Sequence, residues 1–288
     1  MISVKKVLHT HPYALILPSM KLSAEKRMPS HGRYRLKFFR HTLLLLLFFR
    51  WTLAGAQLPP IQLDRPDQTE CPFIVPKNYL QLENGFLMQR LNNGTRYYTF
   101  PSTLWKYGVN ERFELRMITE LVTLKNNGSS LTGLNPITLG FKAYLLAEKG
   151  IIPRTAFIGH ITTSKWGSPA FHTSTIAPSF RFVMQHTLSE KVSLSYNLGA
   201  RWNGEDPEPT YLYTLTSGIS ITDKLGFYIE LYGFAPEKDR ADHSVDGGFT
   251  WLVNNDLMLD ISASKGITDN APDHYVALGL SYRFPFKK

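Results

Sequence analysis

The sequence predicts an all-β chain: a transmembrane, antiparallel, up-and-down β-barrel of about 12 strands. Three observations carry that expectation. Apolar and polar residues alternate along run after run, the runs are long, and tight turns between them alternate with longer polar connections. The last run shows the pattern most plainly. Val276, Leu278, Leu280, Tyr282 and Phe284 share one side of an extended strand, and Ala277, Gly279, Ser281 and Arg283 share the other. One such strand fits any half-buried sheet. Many of them, each apolar on one face, fit a closed wall wetted by hydrocarbon outside and by water inside.

Taken in order, residues 1–56 read as an N-terminal extension and a cleaved signal peptide. Arg33, Arg35, Lys37 and Arg40 make a positive n-region, Leu43 to Phe49 an apolar core, and Ala54-Gly55-Ala56 a small-x-small cleavage site before Gln57. The apolar run is too short for a membrane helix, which needs roughly 20 residues. Met28 is an alternative start that leaves a signal of ordinary length. This segment also accounts for the net charge of +9, because it holds ten Lys and Arg against the single acid Glu25 and leaves 22 basic and 22 acidic residues over 57–288. A body without net charge gives no support to a nucleic-acid partner. Cys71 is the single cysteine, so no disulfide forms within the chain. Residues 57–77, with Pro59, Pro60, Pro66, Pro72 and Pro76, read as an extended, unpaired periplasmic arm.

The barrel itself occupies 78–288, with strands expected at 79–90, 96–107, 113–124, 136–147, 154–163, 177–187, 192–202, 210–221, 225–234, 244–253, 257–265 and 274–286. The clearest is 192–202, where Val192, Leu194, Tyr196, Leu198, Ala200 and Trp202 alternate with Ser193, Ser195, Asn197, Gly199 and Arg201. The weakest is 96–107, interrupted by Pro101; its place rests on the even strand count of single-chain bacterial barrels. Most runs hold ten to thirteen residues. A soluble strand averages about five or six, whereas a tilted membrane strand needs roughly 9–11.

Connections at 108–112, 148–153, 188–191, 222–224 and 254–256 are tight, and those at 125–133, 164–175, 203–209, 236–243 and 266–273 are mostly longer and more polar. Short periplasmic turns against longer outer loops give that asymmetry; Asn92-Asn93-Gly94 is a tight turn on the outer side. Trp105, Tyr107, Trp202, Tyr211, Tyr213, Trp251 and Tyr275 fall towards strand ends, where interfacial aromatic girdles belong.

The faces opposite the apolar stripes hold Glu83, Glu114, Arg116, Glu120, Lys142, Arg181, Arg201, Glu230, Asp246 and Asp260. These are the expected lumen lining, because Arg or Lys facing lipid at mid-depth costs about 2–4 kcal/mol. Such charges either pair and brace a closed bore or line a selective pore. No catalytic constellation stands out: no strand presents Ser and His two apart on one face, and Asp239, Asp242, His243 and Asp246 match no metal-ligand spacing. No Gly-rich phosphate loop or Cys/His cluster is present, so no cofactor is expected.

Arg65-Pro66-Asp67-Gln68-Thr69-Glu70, Pro72-Phe73-Ile74-Val75-Pro76-Lys77 and Glu83-Asn84-Gly85-Phe86 resemble the opening of Bacteroidetes outer-membrane proteins described as transporters. These belong to the channel family named for the meta-pathway of phenol degradation. Leu139-Gly140-Phe141-Lys142-Ala143, Met184 to Ser189, Tyr232 to Lys238 and Asp246-Gly247-Gly248 are similar to it as well, so the resemblance covers about residues 65–286, with Cys71 where the family has Gly. It implies a barrel in the bacterial outer membrane that takes up small solutes, aromatic or hydrophobic ones among them, and it brings no catalytic or binding residues. The expected partners are outer-membrane lipid, a small-molecule solute and the barrel assembly machinery, which would read the C-terminal strand. A closed structural or adhesin-like barrel is the alternative, ahead of an outer-membrane lipid hydrolase and a soluble exported sandwich.

Overall fold

The structure, a computed structural model, describes residues 58–286; the signal-peptide reading of 1–56 lies outside them. Its strands are β1 (Tyr79–Arg90), β2 (Arg96–Asn110), β3 (Phe113–Asn126), β4 (Ser129–Leu134), β5 (Thr138–Leu146), β6 (Arg154–Thr162), β7 (Ala177–Thr187), β8 (Val192–Arg201), β9 (Thr210–Ser220), β10 (Leu225–Pro236), β11 (Asp242–Asn254), β12 (Leu257–Gly266) and β13 (His274–Pro285). Each pairs antiparallel with its neighbour, and pairing of β13 with β1 closes the wall. β4 and β5 are two pieces of one wall strand, both laid along β3, so the barrel is twelve-stranded. The break between them falls at Asn135-Pro136, where proline has no N–H for the ladder.

The wall has the polarity of a membrane protein. Leu115 is 50% exposed, Leu198 54%, Ile229 51% and Leu278 53%, all on the outer face. Half exposed, each forgoes about 1 kcal/mol of what full burial of such a side chain would give in water. Repeated around the circumference, that loss is incompatible with an aqueous exterior and is removed by a lipid one. A strand such as β1, with 12 residues, is about 40 Å long and crosses the hydrocarbon when tilted about 45°. This closed barrel is an outer-membrane barrel.

Two expectations change and a third holds. The connection at 125–133 is largely a hairpin, β3 turning into β4 through Asn127 (φ 46°) and Gly128 (φ 82°). Two successive positive φ values are what a two-residue hairpin turn demands, and Asn-Gly supplies them at low steric cost. The strand expected at 96–107 is present despite Pro101: β2 runs from 96 to 110, and its register shifts between Thr99 and Ser102 absorb the proline. Tyr275 is not part of an outer girdle. It is 4% exposed and donates its hydroxyl to Asp246, because it shares inward parity with Ala277 and Gly279; Tyr211 and Trp251 are exposed on the wall.

Candidate functional site: a bore filled by its own arm

The largest correction concerns residues 60–77 of the arm. This segment is neither unpaired nor outside the barrel; it lies in the bore. The Ile61 N–H donates to the Asn255 carbonyl (2.8 Å) in the tight β11–β12 turn, and Gln81 Nε2 donates to the Gln62 carbonyl (2.8 Å). The chain then rises to mid-depth, bends through Asp64–Glu70 and descends past Val75, whose N–H donates to Glu114 Oε2 at 2.8 Å. It leaves where Lys77 bridges Gly108. Both ends of the inserted loop are therefore at the tight-turn end. The proline-rich composition suits this course, since a strand-like arm with few donors needs few partners in a bore it crosses without joining the sheet.

Side chains of the wall hold the arm from almost every side. Asp64 is the hub: its carboxylate accepts from Lys106 Nζ (2.9 Å), Lys142 Nζ (2.8 Å) and Arg116 Nη2 (3.1 Å), and its N–H donates to Glu83 Oε2 (3.0 Å). Lys106 also pairs with Glu83 at 2.5 Å. Glu70 meets Arg116 Nη1 at 2.5 Å and Arg181 Nε at 3.6 Å. Asn197 clamps the Glu70 backbone, accepting from its N–H at 2.8 Å and donating to its carbonyl at 3.1 Å. Across the bore, Glu230 accepts from the Gln68 N–H (2.7 Å), the Thr69 hydroxyl (2.5 Å) and the Thr216 hydroxyl (3.0 Å). Arg65 reaches Asp260 at 3.1 Å. That pair lies over Gly85 and Gly279, cross-strand partners whose missing Cβ atoms leave the space.

The ten charged positions singled out in the sequence thus divide. Glu83, Glu114, Arg116, Lys142, Arg181, Glu230 and Asp260 are brought onto the arm. Glu120 is held locally by Ser102 (3.0 Å) and Asn135 (2.9 Å), Asp246 receives Tyr275, and Arg201 lies 4.2 Å from the Phe234 ring centroid. Sequence reasoning missed Lys106 and the arm's own Asp64, Arg65 and Glu70. Lys106 had a usable signal, since it sits between Trp105 and Tyr107 with the parity of an inward residue. The arm's charges had only the motif Arg65 to Glu70, whose docking partners are far away in sequence.

Beyond the arm, the long-loop half of the bore holds an apolar cluster set among buried polar groups such as Glu120, Asp242 and Asp246. Leu87, Tyr97, Val122, Leu212, Tyr232 and Phe234 pack together with Phe171, which the 163–176 connection delivers from a short 3-10 turn at Pro169–Phe171. On the tight-turn side of the arm a cavity of about 380 Å³ opens, lined by Asp67, Thr69 and Cys71 of the arm and by Ser195, Thr216 and Tyr228 of the wall. Among the described residues, no group of three or more His, Cys, Asp and Glu side chains has a metal-holding arrangement.

Residues 63–284 match the family described as "Putative MetA-pathway of phenol degradation". The chain belongs to this family. The match begins at Leu63, so it includes most of the segment in the bore. Among solved structures, the COG4313 outer membrane channel from Pseudomonas putida F1 has a similar fold, with a TM-score of 0.57 and 11% identity over 74% of this chain and 97% of that one. The NanC porin gives 0.49 and 8% identity over 70% of this chain and 98% of the porin. No curated protein matches the chain in sequence.

Proposed function

We propose that this member of the family is an outer-membrane channel for passive uptake of small solutes, aromatic or hydrophobic ones among them, with a bore closed by its own N-terminal arm. One observation carries the reading: a non-covalently held loop of the chain, rather than wall side chains alone, fills the middle of the bore. A wall built only for strength would fill a narrow bore with its own side chains. A tethered loop held by ion pairs and hydrogen bonds is a removable stopper, because each contact has an equivalent with water or solute once it withdraws. Its two ends at the tight-turn side give it a route out on that side without threading the wall. The family description and the fold likeness to a channel support this reading. The role is non-enzymatic and uses no cofactor. The outer membrane and the assembly machinery that inserts such barrels are the remaining partners, met through the apolar face and β13.

Planar-bilayer recording tests it. Wild-type protein should show rare, brief openings, and Asp64→Ala should raise the open fraction; silence of both, from barrels shown to be folded by heat-modifiable mobility, would refute the channel. The second reading is a permanently closed barrel, favoured by the matching of arm and wall charges. It predicts that Cys71, which lines the cavity on the tight-turn side, is labelled by maleimide at one rate whatever solute is present.

A further inference from the structure

On one side of the bore, Lys106 of β2, Arg116 of β3, Lys142 of β5 and Arg181 of β7 converge, with side chains at most 7% exposed. The wall provides two carboxylates within their reach: Glu83 on Lys106, and Glu114 at 3.9 Å from Arg116 and 3.8 Å from Lys142. Asp64 and Glu70 of the arm supply the other two. Lifted out, the arm leaves four cations facing two anions. A surplus of fixed positive charge lining a narrow, low-dielectric bore draws anions into it. The opposite wall has the reverse character, since Glu230 and Asp246 there are held by hydroxyl and backbone donors. The cationic side is therefore a built anion site, and Asp64 shows how it is used. One carboxylate receives three charged donors at 2.8–3.1 Å, the geometry a free carboxylate would take.

We propose that Lys106, Arg116, Lys142 and Arg181 form a carboxylate-recognition site of the channel, and that Asp64 and Glu70 are its resident internal ligands. The inference rests on the channel reading and names its solute class: small organic carboxylates, which compete with the arm and displace it. A short tether sets an effective concentration in the millimolar range, so carboxylate at or above that concentration competes with Asp64 and Glu70 for the four cations. The exchange is of one carboxylate for another and breaks no covalent bond. The cavity of about 380 Å³ beside the arm is of the size that small-molecule sites have, and it gives a solute a place to wait beside the ligand it replaces.

Cys71 is the only thiol in the chain and sits next to Glu70, so it reports where the arm is. Full-length protein folded in liposomes is labelled with a membrane-impermeant maleimide in millimolar sodium benzoate, in benzamide, and in sodium chloride of equal ionic strength. Benzoate should accelerate labelling several-fold, and benzamide and chloride should not. Equal effects of benzoate and benzamide, or no effect of either, would overturn the site. The double variant Asp64→Asn with Glu70→Gln removes the internal ligands; its labelling should be fast already, with nothing added by benzoate, and its reversal potential in a KCl gradient should favour anions. Cation-selective current through that variant overturns the recognition site and leaves the channel standing. Absence of current from a folded barrel removes the channel reading, and this inference with it. Should the variant not fold, the wild-type comparison of benzoate with benzamide decides.

Discussion

In the tight-turn half of the bore, Lys106, Arg116, Lys142, Arg181 and Glu230 reach a separate loop of the chain, whereas in the long-loop half the wall's own Tyr97, Val122, Leu212 and Phe234 meet one another and Phe171. The difference is one of exchangeability. An ion-paired layer is costly to break halfway, since removing one partner leaves a buried charge, but it is nearly neutral to exchange for an equivalent ligand. An apolar layer has no such substitute in water and opens only by moving side chains or the loop that carries Phe171.

The sharpest way to break this contrast is Asp64→Ala. It removes the hub and leaves Lys106, Lys142 and Arg116 facing one another, a change that costs about 3–5 kcal/mol when a buried pair is broken. The arm is expected to undock, with Cys71 labelling faster by orders of magnitude and the barrel itself still resistant to heat. Phe171→Ala should act on the other layer alone. Deleting a buried phenyl costs about 3 kcal/mol, here expressed as greater protease sensitivity of the 163–176 connection. Cys71 labelling should stay at the wild-type rate; a large rise would mean that the two layers are one cooperative unit.

Parity along the strands made the wall legible in the sequence, because a charge facing lipid is so unfavourable that side assignment follows from alternation. β1, β7 and β13 lie within a residue of where alternation put them. The same rule was sufficient for Tyr275, whose position near a strand end suggested a girdle although its odd number set it beside Ala277 on the inner face. Asn127-Gly128 carried the local hairpin signal inside a segment read as loop. The arm is different in kind. Its residues have no periodicity, and its fate depends on charges contributed by β2, β3, β5, β7 and β10, which are adjacent only after the barrel closes. Complementarity between Asp64 and three distant cations is a tertiary fact with no local trace.

A smaller effect separates docking by shape from docking by charge. At Gly108 an added Cβ would stand 2.2 Å from the Pro76 carbonyl oxygen and 2.3 Å from that of Val75, both backbone atoms with little freedom to yield. Gly108→Ala should therefore loosen the descending limb of the arm by about 1–3 kcal/mol, the usual cost of overpacking, and raise Cys71 labelling less than Asp64→Ala does.

The mildest change is Thr69→Val, which keeps the volume near Thr216 but removes the hydroxyl that donates to Glu230 at 2.5 Å and accepts from Thr216 at 2.7 Å. Glu230 keeps the Gln68 N–H and the Thr216 hydroxyl, so the loss should be that of one hydrogen bond to a charged group, about 1.5 kcal/mol and about tenfold in labelling rate. If Thr69→Val equals Asp64→Ala in effect, the acidic wall holds the arm as firmly as the cationic one, and the asymmetry between the two sides of the bore is one of charge without being one of strength.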